Sequence, residues 1–318
     1  MNKHQKIFLA STILIVIVAL ILTSYTLTST QTADKLKIVT TFYPLTYLTQ
    51  QIGGDYVDIT QLMPQNTDIH SWEPSVSHIM ATEDADIIFY NGAGADHWME
   101  EDILPAIATL SNKLVVKTTH GLTLAQNCDH DHPNGNHHYH DLYDPHTWVS
   151  PYMAKLQAEN IYNTLITADP QHENYYTQRW HHIKQQLEQL DATYLHELSN
   201  TDKNTIFVSH EAFGYLAARY GFTQHGVIGL SADQQPSITT ISNIVDEMRK
   251  HQIYVLYFDP IYSDKYVQTI KTEVEAKTGQ TVTILKLYLM IGPIDDLNYL
   301  EQMQTNLTNL QTGLKITL

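Results

Sequence analysis

The chain alternates strand patterns with helix patterns in two runs, and this alternation limits the folds open to it. Seven short apolar segments fit buried strands: residues 37–43, 57–63, 86–91, 113–118, 205–210, 254–259 and 281–287. Helical patterns lie between them within each run. Strands that alternate with helices form mostly parallel sheets covered by helices. The sequence therefore predicts an α/β fold of two lobes, each with a mostly parallel sheet flanked by helices.

The stretch between the two runs has helical patterns only. Residues 151–169 and 170–199 predict two successive helices, and the second is unusually long because few helix-breaking residues interrupt it. We expect this long helix to link the lobes. The predicted division is a signal sequence or membrane anchor at residues 1–33, an N-terminal lobe at 34–169, the linking helix at 170–199 and a C-terminal lobe at 200–318.

The amino terminus has the pattern of an export signal. Two lysines precede the apolar run from Ile7 to Leu22, and a basic start followed by an apolar run directs a chain out of the cytoplasm. Extended through Thr28, the run is long enough for an uncleaved anchor, since about 20 helical residues span a bilayer. Cleavage after Ala33 is the alternative, although Gln31 departs from the usual small-residue pattern. Both interpretations predict an extracytoplasmic protein at a bacterial cell surface, either anchored or secreted.

Charge and cysteine content exclude several classes of protein. The formal net charge is -16, which excludes duplex nucleic acid as a partner because that binding needs Lys and Arg against phosphates. An acidic surface suits cations, and it equally suits simple solubility. Cys128 is the single cysteine of the sequence, so an internal disulfide and a cysteine-based structural zinc site are both excluded.

Three histidines occupy comparable places, where a strand or loop meets a helix. His70 follows the second predicted strand, His146 precedes the middle helices, and His210 ends a strand of the second run. Ligands bind to α/β sheets at the carboxyl ends of parallel strands. A single histidine at such a place is more often structural, but three neutral imidazoles can converge on one divalent ion. We therefore predict a metal site formed by His70, His146 and His210.

A family resemblance covers about residues 36–318. It rests on TTFYPLTYLTQQIGGDYVDI, PQNTDIHSWEPS, YNGAGADHWME, DPHTWVSP, VSHEAFGYLAARYGF and GLSADQQPS. In these stretches the chain resembles the cluster A-I solute-binding proteins of zinc and manganese ABC transporters, a family that includes adhesin-like lipoproteins. The resemblance implies two lobes tied by one long helix, with metal in the cleft between them. It also implies ligands at His70, His146 and His210 and an ABC permease as partner, and we expect a monomer.

The ligand types favour Zn²⁺ as the transported ion. The resemblance implies that manganese proteins of the family bind the ion with two histidines and two carboxylates. Zinc proteins have histidine at the third ligand position, which is His210 in this chain. Imidazole suits zinc, and carboxylate and water suit manganese. Manganese stays an alternative because Glu211 is adjacent, and a shift of one residue would present its carboxylate.

The expected fourth ligand is where the sequence departs from the family. Family members offer Asp or Glu shortly after the last predicted strand, and this position falls near the apolar residue Leu289. The open alternatives are water, Asp259, Asp295, Asp296 or a histidine from the segment between residues 128 and 140.

That segment, Cys128 to His140, resembles the histidine-rich insertion of zinc-specific family members. Its Pro-Asn-Gly run predicts a loop. We interpret it as an auxiliary zinc trap near the cleft, with a solvated linker as the alternative, and Cys128 as an unpaired thiol. His181 and His182 fall on the predicted long helix and are interpreted as surface residues.

The resemblance implies a carrier that captures extracytoplasmic Zn²⁺ and delivers it to an ABC permease without catalysing a reaction. Two other classes remain as alternatives. An exported zinc-dependent hydrolase needs a general base beside metal-bound water, and Glu211 next to His210 keeps this open although the sequence has no HExxH motif. A metal-stabilised adhesin is compatible with the exported location.

Overall fold

The structure is a computed structural model that describes residues 2–5, 12, 16, 17, 35–109, 113–126, 142–229 and 236–315. Met1–Lys35 and Leu36–Leu318 are separate units. Most of the predicted signal sequence or anchor lies outside the described residues, and so does the whole of the predicted loop from Cys128 to His140. Among the residues that are described, there is no helix with the length and apolar character needed to cross a membrane.

The N-terminal lobe contains a four-stranded parallel sheet in the order β2-β1-β3-β4. Its strands are β1 (Leu36–Thr40), β2 (Val57–Gln61), β3 (Ile87–Tyr90) and β4 (Leu114–Lys117). Its helices are α1 (Tyr43–Gly53), α2 (Val76–Glu83) and α3 (Leu104–Ile107), the last preceded by a π-helical turn at Met99–Ile103. All four residues of the inner strand β3 are buried, as expected for a parallel sheet with both faces covered.

Two helices follow in the middle of the chain. They are α4 (Pro151–Ala168) and α5 (Glu173–Glu197), separated by a short 3₁₀ turn at Pro170–His172. The long helix α5 has 25 residues, which confirms the predicted long helix. The first predicted residues, from Pro170 to His172, form the 3₁₀ turn and not the α-helix.

The C-terminal lobe repeats the sheet of the N-terminal lobe. Its strands run in the order β6-β5-β7-β8 and are again all parallel. They are β5 (Thr205–His210), β6 (Thr223–Ile228), β7 (Val255–Phe258) and β8 (Thr283–Lys286), with helices α6 (Gly214–Tyr220), α7 (Ile238–His251), α8 (Lys265–Thr278) and α9 (Tyr299–Leu314). In both sheets the strand order reverses beside the first strand, and such a reversal opens a crevice at the carboxyl ends. The predicted fold class is confirmed.

Two details differ from the sequence-based assignment. The first predicted strand was too long, because β1 ends at Thr40 and α1 already begins at Tyr43, with Pro44 in its first turn. Thr41 and Phe42 are as buried as strand residues, so the pattern of the sequence gave no sign of the boundary. Strand β6 was not predicted, because it is a half-exposed edge strand interrupted by Gly226.

The long helix α5 shares its apolar face with both lobes. Its buried residues recur every three or four positions, which is the stripe of an amphipathic helix: Tyr176, Trp180, Ile183, Leu187, Leu190 and Tyr194. The helix contacts α1 and α4 of the N-terminal lobe and α6 and α9 of the C-terminal lobe. At its carboxyl end, the Tyr194 hydroxyl donates to the Met303 carbonyl at 2.6 Å. The core is therefore continuous from one lobe to the other.

Leu187 tests the contribution of this stripe because its side chain is fully buried. Leu187→Ala should lower the free energy of unfolding by about 2–5 kcal/mol, since it removes buried methyl groups and leaves a cavity. Urea denaturation followed by circular dichroism measures the change. The neighbouring exposed Gln186→Ala is the matched control and should stay within about 0.5 kcal/mol. Equal effects for the two variants would contradict the assigned helix face.

Candidate metal centre

Each of the three predicted histidines lies on an element that ends at the same crevice. His210 is the last residue of β5, and all six residues of that strand are buried. His70 lies in the turn between β2 and α2. His146 precedes the short 3₁₀ turn Thr147–Val149, which leads into α4. The parallel arrangement thus directs three separate parts of the chain to one place.

The three imidazoles form a compact cluster. One ring nitrogen from each of His70, His146 and His210 lies within 4.8 Å of the others. Nε2 of His70 is 3.2 Å from Nε2 of His146. Ring centroids are separated by 5.2 Å, 5.5 Å and 5.0 Å. Two nitrogens held tetrahedrally at about 2.0–2.1 Å from one zinc ion are about 3.3 Å apart, so the observed spacing suits a shared ion.

Asp144 orients His146. Its Oδ1 accepts a hydrogen bond from the backbone N–H of His146 at 2.9 Å and lies 2.9 Å from Nδ1 of the same residue. A proton on Nδ1 leaves the lone pair on Nε2, which is the atom that faces His70. Carboxylates commonly fix the tautomer and raise the basicity of a metal-binding histidine in this way. The sequence analysis did not single out Asp144, although the Asp-Pro-His spacing was its signal.

The position of Asp144 is fixed from both sides. Its carbonyl accepts a hydrogen bond from the Tyr215 hydroxyl at 2.7 Å, and its backbone N–H donates to the Ala125 carbonyl at 2.9 Å. Gly214, at the start of α6, leaves room for the carboxylate, because a Cβ there would collide with Oδ2. A residue of the C-terminal lobe therefore limits where the acceptor for His146 can lie.

His70 is held by a second carboxylate. Asp68 Oδ1 accepts the His70 backbone N–H at 3.0 Å and the Tyr262 hydroxyl at 3.3 Å. The Tyr262 ring stands edge-on to His210, with centroids 5.5 Å apart. Burial, followed by the nearby rings of His146, His210 and His97, holds the pKa of His70 well below its ordinary value. At neutral pH the His70 imidazole is therefore uncharged and free to donate a lone pair.

The neighbouring Glu211 points elsewhere. Its Oε1 accepts the Gly226 backbone N–H at 2.8 Å, across the pair of strands β5 and β6. A Cβ on Gly226 would collide with the Glu211 side chain, so the glycine makes this approach possible. His210, rather than Glu211, is the residue that joins the cluster.

The other candidate carboxylates are also engaged elsewhere. Asp259 accepts backbone N–H groups from Ile261, at 2.8 Å, and from Leu289, and burial raises its pKa to about 7. Asp295 lies 2.5 Å from Lys286 Nζ and accepts from the Tyr288 hydroxyl at 2.7 Å. Asp296 is exposed. Within the part of the chain that is described, no Asp or Glu joins the three histidines.

The segment from Leu289 to Ile291 is buried and apolar. Leu289, Met290 and Ile291 are 2%, 1% and 2% exposed. Its backbone joins the lobes: Trp148 Nε1 donates to the Leu289 carbonyl at 2.8 Å, and the Asn66 N–H donates to the Ile291 carbonyl at 3.1 Å. The departure from the family pattern near Leu289 therefore falls on a packed contact between the lobes.

Residues 38–313 match the sequence model of the family described as ZnuA, the periplasmic component A of a zinc-uptake complex. The chain belongs to the ZnuA family. The resemblance inferred from the six sequence stretches is thereby confirmed. The ZnuA family is a family of metal-transport components rather than of enzymes, and its periplasmic description agrees with the predicted extracytoplasmic location.

Two zinc-related bacterial proteins are similar over most of the chain. The high-affinity zinc uptake system protein ZnuA of Bacillus subtilis is 30% identical over 287 residues, covering 89% of this chain and 89% of that protein. The zinc-binding lipoprotein AdcA of Streptococcus pneumoniae is 29% identical over 297 residues, but these cover 88% of this chain and 56% of AdcA. This chain therefore spans little more than half of AdcA.

A solved structure confirms the fold. The laminin-binding protein Lmb of Streptococcus agalactiae has a TM-score of 0.75 and 29% identity, covering 88% of this chain and 100% of Lmb. Lmb is described as a bifunctional protein with adhesin and metal-transporting activity.

Asp144→Asn tests the role of the carboxylate beside His146. The variant keeps the size of the side chain but removes its charge, so zinc affinity should fall about 10- to 100-fold. Competition with a chelating dye measures the affinity. Asp295→Asn is the control, because that carboxylate is paired with Lys286 on the surface. An unchanged affinity in Asp144→Asn would contradict the assigned role.

The lowered pKa of His70 predicts the pH dependence of stability in the metal-free protein. Below the ordinary histidine pKa of about 6.5 the unfolded chain binds a proton at residue 70 that the folded chain does not. The free energy of unfolding should therefore fall as the pH falls through about 6.5 and downward. Urea denaturation at several pH values, with EDTA present, should give a shallower fall for His70→Gln. The exposed His182→Gln is the control and should keep the full slope.

Proposed function

We propose that the chain captures Zn²⁺ outside the cytoplasm at His70, His146 and His210 and delivers it to an ABC permease. The observation that carries the proposal is the cluster of three imidazoles with their ring nitrogens within 4.8 Å, in a chain of the ZnuA family. Unprotonated imidazoles are good zinc ligands, and the pKa of His70 keeps it in this form at neutral pH.

The composition of the cluster supports zinc over manganese. Manganese prefers carboxylate and water oxygens, and imidazole nitrogen suits zinc. Among the described residues the group consists of imidazoles, and the Glu211 carboxylate is bonded to the Gly226 amide instead. Two of the similar proteins, ZnuA of Bacillus subtilis and AdcA of Streptococcus pneumoniae, carry zinc in their names.

The chain acts as a carrier, and no reaction is assigned to it. A hydrolase needs a general base beside metal-bound water. Glu211 was the candidate for that role, and its hydrogen bond to Gly226 directs the carboxylate toward β6. Adhesion is the second candidate function, and the similarity to Lmb is the observation that favours it.

Several parts of the proposal rest on the sequence. We keep the division into residues 1–33, 34–169, 170–199 and 200–318 as a prediction, together with a monomeric state and an N-terminal signal or anchor. The segment from Cys128 to His140 is proposed as an auxiliary zinc trap that supplies the cleft site without replacing it.

Zinc titration of the metal-free protein tests the carrier function. We expect one tight site that survives deletion of residues 128–140, because the three imidazoles lie on elements outside that segment. His210→Ala should remove at least two orders of magnitude of affinity, since two imidazoles remain where zinc takes four ligands. His182→Ala, on the exposed face of α5, is the matched control and should leave the affinity unchanged.

Three results would contradict parts of the proposed function. Loss of all tight binding on deletion of residues 128–140 would move the site from the cleft to that segment. Tight zinc binding that survives in His210→Ala would show that the three histidines are not the zinc site. Normal growth of a deletion strain at limiting zinc, with loss of laminin binding, would favour the adhesin function over the carrier function.

A further inference from the structure

We propose that Asn91 is a positioning residue for zinc binding, because its side chain holds the turn that contains His146. The inference rests on the proposed zinc function and names a residue through which the binding site acts. Asn91 comes directly after β3 and is fully buried.

His146 lies at the centre of a tight turn. The Thr147 N–H donates to the Pro145 carbonyl at 2.8 Å, and His146 itself has φ -80° and ψ 46°. These angles are close to those of an inverse γ-turn, which one hydrogen bond closes over three residues. The backbone conformation of His146 sets the direction of its Cα–Cβ bond. The groups that hold this turn therefore also hold the imidazole.

The Asn91 side chain is bonded to the turn on both sides of His146. Its Nδ2 donates to the Pro145 carbonyl at 3.1 Å, and the Thr147 hydroxyl donates to its Oδ1 at 3.2 Å. The Pro145 carbonyl and the His146 N–H belong to one peptide unit, and that N–H donates to Asp144 Oδ1 at 2.9 Å. Asp144 therefore fixes one polar group of this peptide unit, and Asn91 fixes the other.

Asn91 is itself held by its side chain and by its backbone. Nδ2 also donates to the Gly92 carbonyl at 2.8 Å, and Oδ1 also accepts from Gln157 Nε2 at 2.8 Å. The Asn91 backbone N–H donates to Asp96 Oδ2 at 2.6 Å, and the backbone carbonyl accepts from the Thr119 hydroxyl at 2.6 Å. Both donors of the Asn91 amide are used and its oxygen accepts twice, and a buried polar network satisfied in this way is rigid.

The backbone that follows Asn91 is in an unusual conformation. Gly92, Ala93 and Gly94 have φ values of 75°, 55° and 87°, and positive φ is uncommon for a residue such as alanine. The Asp96 carboxylate stabilises this turn, since its oxygens accept the N–H groups of Asn91 and Gly92 at 2.6 and 2.8 Å. Backbone in such regions persists where the surroundings fix it, and it is frequent at ligand-binding sites. This turn supports a role for Asn91 in the metal site beyond packing.

The first test compares two asparagine variants of the full chain. Asn91→Ala should lower zinc affinity about 10- to 100-fold, as the loss of a group that orients a metal ligand does. Asn160→Ala is the matched control, because the Asn160 amide also donates to backbone carbonyls, those of Thr118 and His120, at 2.8 and 3.0 Å. Affinity is measured by competition with a chelator, after urea denaturation has shown that each variant is folded. The visible absorption bands of bound Co²⁺ should shift in Asn91→Ala and stay unchanged in Asn160→Ala.

A double-mutant cycle with His146→Ala tests whether Asn91 acts through that histidine. Once the imidazole is absent, Asn91→Ala should lower the remaining zinc affinity by less than about twofold, because two residues that act together are not additive. An equal loss in both backgrounds would mean that Asn91 affects zinc binding only through general stability, and it would overturn the inference.

Thr147 provides a test that does not require a change at Asn91. Thr147→Ser keeps the hydroxyl that bonds to Asn91, and Thr147→Val keeps the shape of this fully buried side chain. We expect Thr147→Ser to bind zinc as the unmodified chain does and Thr147→Val to bind about tenfold more weakly. The opposite order would show that packing alone matters at this position, which overturns the inference.

Failure of the inference differs from failure of the proposed function. Weak zinc binding by the unmodified chain, or tight binding that persists in His210→Ala, would contradict the proposed function. Loss of tight binding in His210→Ala, together with unchanged affinity in Asn91→Ala and Thr147→Val, would overturn the role of Asn91 alone.

Discussion

The buried stripe of the long helix α5 is the constraint on which the other features depend. Both lobes complete their cores against it, from Tyr176 near one end to Tyr194 near the other. Because one rigid helix is shared, the carboxyl ends of the two sheets face each other across a short distance. That placement brings His70 and His146 of one lobe against His210 of the other. The histidine cluster thus depends on how the lobes share apolar surface, and not on any local motif.

Burial gives the histidine cluster its chemical character. Desolvation disfavours protonation of His70 and lowers its pKa, and the nearby imidazoles add to the effect. The same burial makes an added cation costly unless negative charge lies nearby, and the Asp144 carboxylate lies 2.9 Å from Nδ1 of His146. A site of this kind discriminates by the softness of its ligands more than by negative charge. The net charge of -16 for the chain acts at longer range on the approach of cations.

The sequence predicted the fold from its strand and helix periods, and it predicted that the three histidines meet from their places beside strands and helices and from the family resemblance. Strand and helix periods fix the sheet class, and His210 ends a strand whose apolar run is unmistakable. Hydrogen bonds between residues far apart in the sequence have no periodic pattern by which they could be predicted. The hydrogen bond between Glu211 and Gly226 depends on the edge strand β6. This strand is partly exposed, so its sequence lacks the apolar run by which the other strands were predicted. The bond from Asp144 to His146 is local, but its effect depends on Gly214 and Tyr215 from the other lobe.

Trp148 lies two residues after His146, and it is bonded twice to the opposite lobe: its indole donates to the Leu289 carbonyl, and its own carbonyl accepts the Tyr299 hydroxyl. One short segment therefore contains both a histidine of the cluster and a contact between the lobes. Separation of the lobes would have to break these two hydrogen bonds, which are made two residues from His146. If the chain carries zinc as proposed, movement at this contact would shift His146 relative to His210 and weaken the hold on the ion.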